Sequence, residues 1–411
     1  MSKEYNTPQL RFPGFEGEWE EKTLKEVSSK INKRNSQLEY TRVLTNSANV
    51  GVVDQNEYFD RDIAVKENTS NYHVVELNDF VYNPRISTAA PVGPISINKT
   101  GRGIMSPLYT VFRFHIGYIP FFEQYFQTTI WHQYLKSIAN FGARFDRMNI
   151  NTEGFFNMPL FIPSPEEQKK IADCLEEIDK LISAQGEKVD ALKEKKRGLM
   201  QQLFPQQGET TPRLRFPGFE GEWEEKRLSE CLDERNEQFP EDSRYPLMAF
   251  VAGKGVSPKG EKYDRSALVK DATNKKYKRT ELGDFIYSSN NLEAGSIGFN
   301  KYGSACISPV YSIFKSKNNV DPVFIGTLLT QRNFISEMIK YRQGVVYGQW
   351  KIPETEFLKM RIYVPSPEEQ KKIADFLSEM DESIASESAK LDALKDHKRG
   401  LMQQLFPQPN K

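Results

Sequence analysis

The sequence predicts an α+β protein built as a tandem repeat, in which a globular mixed α/β domain followed by a long α-helix occurs twice. Three observations predict this plan. Residues 164–205 recur almost unchanged at 366–407, LRFPGFEGEWEEK occurs at 10–22 and again at 214–226, and short β-branched or aromatic runs lie between these segments. Because the ends of the repeat are kept while its middle differs, we expect one architecture with two different surfaces.

The repeat also sets the predicted boundaries. A length of 411 residues is typical of two to three domains. We predict a first globular domain at 1–162, a first long helix at 163–205, a linker at 206–213, a second globular domain at 214–364 and a second long helix at 365–407.

Each repeated helix segment contains its own start signal. Ser-Pro-Glu-Glu at 164–167 and again at 366–369 puts a hydroxyl at the N-cap, proline at the first helical position and a carboxylate three residues on, which predicts a capping box. Apolar residues then recur three and four apart, the spacing of a coiled-coil seam. At about 1.5 Å per residue, such a helix is long enough for a spacer. The seam residues are Ile171, Leu175, Ile178, Ile182, Val189, Leu192, Leu199, Ile373, Leu377, Met380, Ile384, Leu391, Leu394 and Leu401.

Polar residues and glycines interrupt this seam at matching places. Lys196 and Lys398, like Gln185 and Glu387, fall at core positions, where polar side chains specify register at a cost in stability. A glycine inside a helix costs about 1 kcal/mol relative to alanine. The repeated glycines, Gly198 and Gly400, therefore predict a close helix crossing or, alternatively, a turn that ends the helix.

The globular domains show strand-like runs separated by Gly, Pro and Asn. One amphipathic helix is predicted late in each domain, at Phe121–Ile138 and at Val323–Tyr341. The predicted strands are Val74–Leu77, Phe80–Tyr82, Tyr109–Phe114, Leu160–Ile162, Phe285–Tyr287, Tyr311–Phe314 and Met360–Val364.

Composition excludes several classes of protein. The 56 basic residues balance the 56 acidic ones, so a nucleic-acid surface must be local. The three cysteines and four histidines lack metal-ligand spacing, so disulfides and zinc are not expected. Neither a signal peptide nor a membrane span is expected, and a reducing cytoplasm fits.

Motifs of enzymes that act alone are missing. The sequence has no GxxxxGK[ST] phosphate loop and no paired-glycine fingerprint. Asn83-Pro84-Arg85-Ile86 lacks the second proline and the aromatic residue of an adenine methyltransferase motif. Glu167-Gln168-Lys169 resembles the acid-x-lysine of nucleases, but its place in a first helical turn favours capping. We therefore predict a non-catalytic binding protein with no cofactor or metal of its own.

Side chains suited to DNA lie at matching places in the two domains. Arginine, lysine, asparagine and glutamine read base edges, and basic residues bind phosphates. The stretch 254–279 holds nine basic residues against three acidic ones, although a charged run is also typical of an ordinary solvated surface. The candidate DNA-binding residues are Asn83, Arg85, Asn140, Arg144 and Arg147 in the first domain, and Lys254, Lys259, Lys275, Lys276, Lys278, Asn290, Asn291, Arg342 and Gln343 in the second.

Three repeated motifs indicate a family. They are [IV]PSPEEQKKIAD at 162–173 and 364–375, LKxxKRGLMQQLFPQ at 192–206 and 394–408, and LRFPGFEGEWEEK at the start of each half. With these motifs the chain resembles the specificity subunit of type I restriction-modification systems, in a firmicute, staphylococcal-like form.

This resemblance implies both a function and partners. The globular domains would be target recognition domains, each reading one half of a bipartite, asymmetric site in double-stranded DNA. The two helices would pack as an intramolecular antiparallel coiled coil with pseudo-twofold symmetry and set the spacing between the half-sites. Two methyltransferase subunits, which bind S-adenosylmethionine and methylate adenine, would dock on this subunit, and we expect the outer faces of the paired helices to be their docking surface. Two restriction subunits that use ATP and Mg would join them.

Two other functions stay open from the residues alone. A coiled-coil adaptor whose domains bind protein or sugar is favoured by the zero net charge. A nuclease or methyltransferase that acts alone is disfavoured by the missing motifs.

Overall fold

A computed structural model of the chain describes residues 6–59, 69–140, 146–206, 208–258, 275–290, 292–345 and 349–408. The chain forms two compact units, 1–186 with 389–411, and 187–388. Each unit contains one globular domain, the beginning of the helix that follows it and the end of the other long helix. No helix in the described residues combines the length and apolar character that crossing a membrane requires.

The first globular domain alternates short strands with short helices. Its elements and the helix that follows are β1 (Glu20–Thr23), α1 (Leu24–Val27), β2 (Ser28–Lys30), β3 (Leu44–Ser47), β4 (Gly51–Asp54), α2 (Gln55–Phe59), β5 (His73–Val75), β6 (Phe80–Tyr82), β7 (Ile95–Ile97), β8 (Gly103–Met105), β9 (Thr110–Phe114), α3 (Ile119–Gln127), α4 (His132–Ile138), α5 (Thr152–Phe156), β10 (Pro159–Ile162) and α6 (Pro165–Leu203).

An antiparallel four-stranded sheet of order β2-β9-β6-β7 lies at the centre of this domain. Phe80 of β6 lies opposite Phe112 of β9, and their rings stack with centroids 5.6 Å apart. Both rings are fully buried in a core that also takes residues from α3, α5 and the start of α6. The aromatic residues therefore join the sheet to the long helix.

The second globular domain repeats this layout. Its elements and the final helix are β11 (Glu224–Arg227), α7 (Leu228–Cys231), β12 (Leu232–Glu234), β13 (Gln238–Phe239), β14 (Ala249–Val251), β15 (Gly255–Ser257), β16 (Tyr277–Thr280), β17 (Phe285–Tyr287), β18 (Ile297–Phe299), β19 (Ala305–Ile307), β20 (Ser312–Ser316), α8 (Pro322–Leu329), α9 (Arg332–Ile339), β21 (Gln343–Val345), β22 (Gln349–Lys351), α10 (Glu354–Lys359), β23 (Arg361–Val364) and α11 (Pro367–Leu405).

Its central sheet has the equivalent order, β12-β20-β17-β18. Phe285 lies opposite Phe314, as Phe80 lies opposite Phe112 in the first domain. The predicted fold class is confirmed, with two mixed α/β domains built to one plan and each followed by a long helix.

The late amphipathic helix differs from its prediction in both domains, because each forms two helices. In the first domain, α3 ends before Thr128, whose backbone is extended, with φ −78° and ψ 174°. The Thr128 hydroxyl donates to the Tyr125 carbonyl at 2.7 Å. In the second, α8 ends at Thr330, whose hydroxyl donates to the Thr327 carbonyl at 2.8 Å. Apolar spacing continues across both breaks, so periodicity alone does not reveal them.

One of the two hydrogen bonds of the predicted capping box is present at the start of each long helix. The Ser164 hydroxyl accepts a hydrogen bond from the Glu167 N–H at 3.3 Å, and Ser366 does the same for Glu369. The predicted return bond of the capping box is wrong, because the Glu167 carboxylate binds Arg11 instead.

The glycines of the long helices also differ from their prediction. A Cβ atom added at Gly198 or Gly400 would meet nothing within 4 Å. Both helices continue past them to Leu203 and Leu405. These glycines therefore mark neither a close crossing nor a terminating turn.

Within each unit, the start of one long helix packs beside the end of the other. Leu175 shares the core of the first unit with Leu405 and Phe406, and Leu377 shares that of the second with Leu203. The helices are thus antiparallel in both units, and their predicted packing is confirmed. All the seam residues are buried or half-buried.

Candidate nucleic-acid interface

In the first domain, the chain after α4 folds back onto the loop that follows the central strand β6. The Met148 N–H donates to the Pro84 carbonyl at 2.9 Å, and the Ile86 N–H donates to the Asp146 carbonyl at 3.0 Å. Residues 84–86 and 146–148 therefore run side by side, although the sequence separates them by about one third of the domain.

This contact brings together polar residues from two separate loops. Arg85 lies opposite Arg147, and Asn140 lies opposite Asn149, in isolated antiparallel bridges. Residues directly opposite each other in an antiparallel pair present their side chains on one face. Arg85 and both asparagines are exposed. Arg147 is half-buried and pairs with the Asp146 carboxylate at 3.6 Å, so one exposed guanidinium group, one ion-paired guanidinium group and two amides lie on this face.

Asn83 stabilises the loop that carries Arg85. Its side chain is buried, its amide nitrogen donates to the Asn46 carbonyl at 2.9 Å, and its amide oxygen accepts from the Arg85 N–H at 3.0 Å. These contacts favour a structural role, in which Asn83 positions the loop that carries Arg85.

The second domain builds the same arrangement from a regular hairpin. Strands β21 and β22 pair Gln343 with Lys351. The Asn290 side-chain oxygen accepts from the Trp350 N–H at 2.6 Å, and the Ser289 hydroxyl accepts from the Ile352 N–H at 3.0 Å. Here side chains attach the hairpin to the loop, where the first domain uses backbone groups.

An open groove of about 560 Å³ lies under this hairpin. It is lined by Asn290, Trp350, Lys351 and Lys278, together with two carboxylates that are discussed below. Trp350 is 49% exposed, which is unusual for a large aromatic residue. Sequence reasoning missed this tryptophan, although its position between Gly348 and Lys351 in the sequence was an available signal.

A second candidate site lies at the start of each long helix and is the same in both units. Arg11 binds the buried Glu167 carboxylate with two hydrogen bonds, at 2.8 and 2.6 Å. Arg215 binds Glu369 in the same way, at 2.9 and 2.6 Å. The repeated LRFPGFEGEWEEK segment is thereby attached to the helix start.

The same segment also contacts the end of the other long helix. The Leu10 N–H donates to the Gln404 carbonyl at 3.0 Å, and the Leu214 N–H donates to the Gln202 carbonyl at 3.0 Å. Each segment therefore joins the beginning of one helix to the end of the other inside its own unit.

This duplicated plan also occurs in a known protein family. A family model described as the type I restriction modification DNA specificity domain matches residues 16–194 and 220–396. The chain belongs to this family. Each match covers one globular domain and most of the helix that follows it, so the chain contains two specificity domains, and the family predicted from the repeated motifs is confirmed.

Curated relatives agree with this assignment. The chain is 24% identical over 288 residues to the type I restriction enzyme MjaVIII specificity subunit of Methanocaldococcus jannaschii, covering 63% of either chain. It is 24% identical over 276 residues to the MjaX specificity subunit of the same organism, covering 64% of this chain and 61% of that one. The chain thus spans somewhat under two thirds of the length of these relatives.

Two solved structures share the fold. The S subunit of a type I restriction-modification system from M. genitalium aligns with a TM-score of 0.57 at 13% identity, covering 98% of this chain and all of that one. A chain from a study of complex assembly and conformational transition of the type I R-M system aligns with a TM-score of 0.57 at 15% identity, covering 97% and 99%. At these identities the likeness concerns the fold alone.

Two other predicted residues of the second specificity domain bind partners inside that domain. Arg342 binds the Glu293 carboxylate through both terminal nitrogens, at 2.6 and 2.7 Å. Lys278 is 6% exposed, and its ammonium group donates to the Tyr311 carbonyl at 3.0 Å. Both charges are therefore used inside the domain.

Of the predicted lysines that the structure describes, Lys254, Lys275 and Lys276 do not line the groove under the hairpin. Lys254 is exposed in the turn between β14 and β15, and Lys275 and Lys276 are exposed just before β16. The predicted residues Arg144, Lys259 and Asn291 lie outside the described residues, so their part in the interface stays a prediction. Among the described residues, no cluster of three or more His, Cys, Asp or Glu side chains could hold a metal ion.

Proposed function

We propose that the chain is the DNA sequence-specificity subunit of a type I restriction-modification complex and has no catalytic site of its own. Each specificity domain reads one half of a bipartite, asymmetric site in double-stranded DNA. The observation that supports this best is the pair of equivalent surfaces, one in each domain, in which a late segment packs on the loop after the central strand. The two surfaces carry different polar side chains on one fold.

The chemistry of these surfaces suits DNA. Arg85 and Arg147 can bind guanine edges or phosphates, and Asn140 and Asn149 can bind adenine edges. A two-stranded ribbon such as β21–β22 fits the major groove. In the second domain Asn290 stands in the place of Arg85. Gln343 and Lys351 stand in the places of Asn140 and Asn149. Because these side chains differ, the two domains read different bases.

The long helices set the distance between the half-sites in this proposal. Each begins in one unit and ends in the other. Polar partners buried between antiparallel helices favour one register over others.

The repeated segment at each helix start forms the docking surface for the methyltransferase subunits. Its exposed residues are identical in the two copies, as with Pro13 and Pro217 or Glu16 and Glu220, while the hairpin surfaces have diverged. Packing inside the chain does not require identical exposed residues, whereas two copies of one partner do. Two methyltransferase subunits would bring S-adenosylmethionine. Two restriction subunits, with ATP and Mg, would complete a cytoplasmic complex.

DNA binding by the full chain, with and without its methyltransferase subunit, tests the proposal. A library of duplexes with randomised bases should yield a two-part motif, and affinity for it should appear or rise greatly when the methyltransferase is added. Affinity should also fall steeply with salt, because phosphate contacts release counterions. Tight sequence-independent binding that the methyltransferase leaves unchanged would count against a specificity subunit.

A coiled-coil adaptor whose domains bind protein or sugar, which the balanced charge left open, is not favoured, because the family model of a DNA specificity domain matches both halves of the chain. Absence of any salt-sensitive DNA binding in the same experiment would support the adaptor.

A further inference from the structure

One position of the central sheet carries opposite charges in the two specificity domains. Lys30 ends β2 and lies opposite Phe112 of β9. Glu234 ends β12 and lies opposite Phe314 of β20. Because the two sheets have equivalent strand orders, Lys30 and Glu234 occupy the same place in the fold.

The residue that faces this position also changes. In the first domain the Lys30 ammonium group donates to the Thr152 hydroxyl at 3.1 Å, and Thr152 is the first residue of α5. The first residue of the equivalent helix α10 is Glu354. A lysine–threonine hydrogen bond in one domain is therefore replaced by two glutamates in the other.

Both glutamates lie in the groove under the β21–β22 hairpin. They line it together with Asn290 and Trp350. Burial raises the pKa of the Tyr287 hydroxyl, and the negative charges of Glu354 and Glu234 raise it further.

The two carboxylates differ in their partners. Glu354 accepts a hydrogen bond from the Ser312 hydroxyl at 2.8 Å. Glu234 is exposed, and its carboxylate makes no hydrogen bond or ion pair with any residue that the structure describes. The Glu234 oxygens are thus available to a donor from outside the domain.

An unpaired carboxylate is unfavourable beside DNA unless a base supplies a donor. Phosphates repel it, and the edges of guanine and thymine in the major groove present acceptors at their reading positions. Only cytosine N4 and adenine N6 present amino donors there. The same position in the first domain holds Lys30, whose ammonium group is a hydrogen-bond donor and suits a base that presents an acceptor.

We propose that Glu234, beside Glu354, is a specificity-determining residue of the second specificity domain and accepts a hydrogen bond from the exocyclic amino group of a cytosine or adenine. This inference rests on the proposed function and deepens it, since it names the base chemistry of one half-site. Lys30 is its counterpart in the first domain and faces a base that presents an acceptor.

The test uses the full chain with its methyltransferase subunit and a library of duplexes with randomised bases. Glu234→Ala should lower the preference for cytosine or adenine at one position of one half-site by roughly tenfold or more. Glu234→Lys, which installs the residue of the first domain, should move the preference at that position to guanine or thymine. The base that the wild type selects distinguishes a cytosine from an adenine contact.

The other half-site is an internal control for folding, because it should stay unchanged in both Glu234 variants. Lys30→Ala is the matched variant and should alter only that other half-site. Unchanged preference at every position in Glu234→Ala, or equal weakening on all sequences, would overturn the inference while leaving the proposed function intact. A wild-type complex that selects no sequence would instead overturn the proposed function.

Discussion

Lys398 of α11 donates hydrogen bonds to both carboxylate oxygens of Asp179 of α6, at 2.7 and 2.8 Å. In the second unit Lys196 makes the equivalent ion pair with Asp381, which also binds Lys301 at 2.8 Å. The lysines are the polar residues that interrupt the repeated seam. The same ion pair therefore fixes the register of the antiparallel helices in both units.

Replacing Lys398 by methionine should lower the free energy of unfolding by about 1–2 kcal/mol, because Asp179 is left without its cation. The partial exposure of Asp179, 39% for its side chain, lets water offset some of the loss. Urea unfolding would measure it. Lys395→Met on the exposed face of the same helix is the control and should change stability by less than about 0.5 kcal/mol. Equal losses in the two variants would contradict a role in register.

Replacing Arg11 by alanine should destabilise the first unit more strongly, by about 3–5 kcal/mol, because the Glu167 carboxylate is 1% exposed and would remain buried without a partner. Arg215→Ala should have the same effect on the second unit. Arg197, which is exposed, provides the control variant Arg197→Ala. Thermal unfolding monitored by calorimetry is the measurement. A loss near that of the control would show that Arg11 does not neutralise Glu167.

The stability of the first specificity domain should fall between pH 7 and pH 5. Burial, with Arg34 and Lys30 nearby, lowers the pKa of His73 to about 4, whereas an imidazole in the unfolded chain titrates near 6.5. Between these values the unfolded chain binds the proton and the folded one does not. Acidification therefore favours unfolding, and His73 alone contributes about 1–2 kcal/mol of this loss at pH 5. His132, whose pKa burial also lowers to about 4, adds to it. Urea unfolding of His73→Gln should show a smaller pH dependence, with exposed His397→Gln as the control.

Replacing Arg147 by alanine should relax recognition in one half-site only, by roughly tenfold at one or two positions, if the guanidinium group reads a base. Selection from a randomised duplex library with the methyltransferase subunit would show it. Asn290→Ala is the matched variant and should change the other half-site. Uniform weakening on all sequences would identify Arg147 as a phosphate contact instead.

Inserting seven residues, about two helical turns, between Ala172 and Leu192 should lengthen the unread spacer of the DNA site and leave both half-sites unchanged. A matching insertion at the equivalent place in α11 should keep the ion pairs of both units in register. Methylation mapping of DNA modified by the variant complex is the measurement. Altered half-sites would show that the helices take part in base recognition.

Local sequence signals predicted the elements whose causes lie within a few residues. The strands Phe80–Tyr82 and Phe285–Tyr287 have the predicted bounds, because aromatic and β-branched residues between turn formers favour strands. The long helices begin at Pro165 and Pro367, directly after the predicted serine N-caps. The prediction of one continuous late helix was wrong. In the first domain the Thr128 hydroxyl binds the Tyr125 carbonyl, and such side-chain hydrogen bonds compete with the backbone bonds of a helix without changing the apolar spacing.

The candidate interface was predicted in pieces. Arg85 and Arg147 were chosen for their chemistry, but their pairing depends on residues 146–148 folding back on a distant loop. Trp350 and Glu234 were missed, because the functional meaning of a tryptophan or a glutamate depends on the groove in which it lies. That groove is assembled from β12, β16, the loop after β17 and the β21–β22 hairpin.

Contiguous residues were sufficient for the duplication, the helix start signals, the predicted fold class and the family, since each of these is written in a run of neighbouring positions. Tertiary structure alone decided that Glu167 binds Arg11 and not its own helix N-terminus, that Arg85 meets Arg147, and that Lys30 and Glu234 share one place in the fold. The physical reason is the same in each case. A side chain takes the partner that folding brings within hydrogen-bonding distance, and these partners lie far away along the chain.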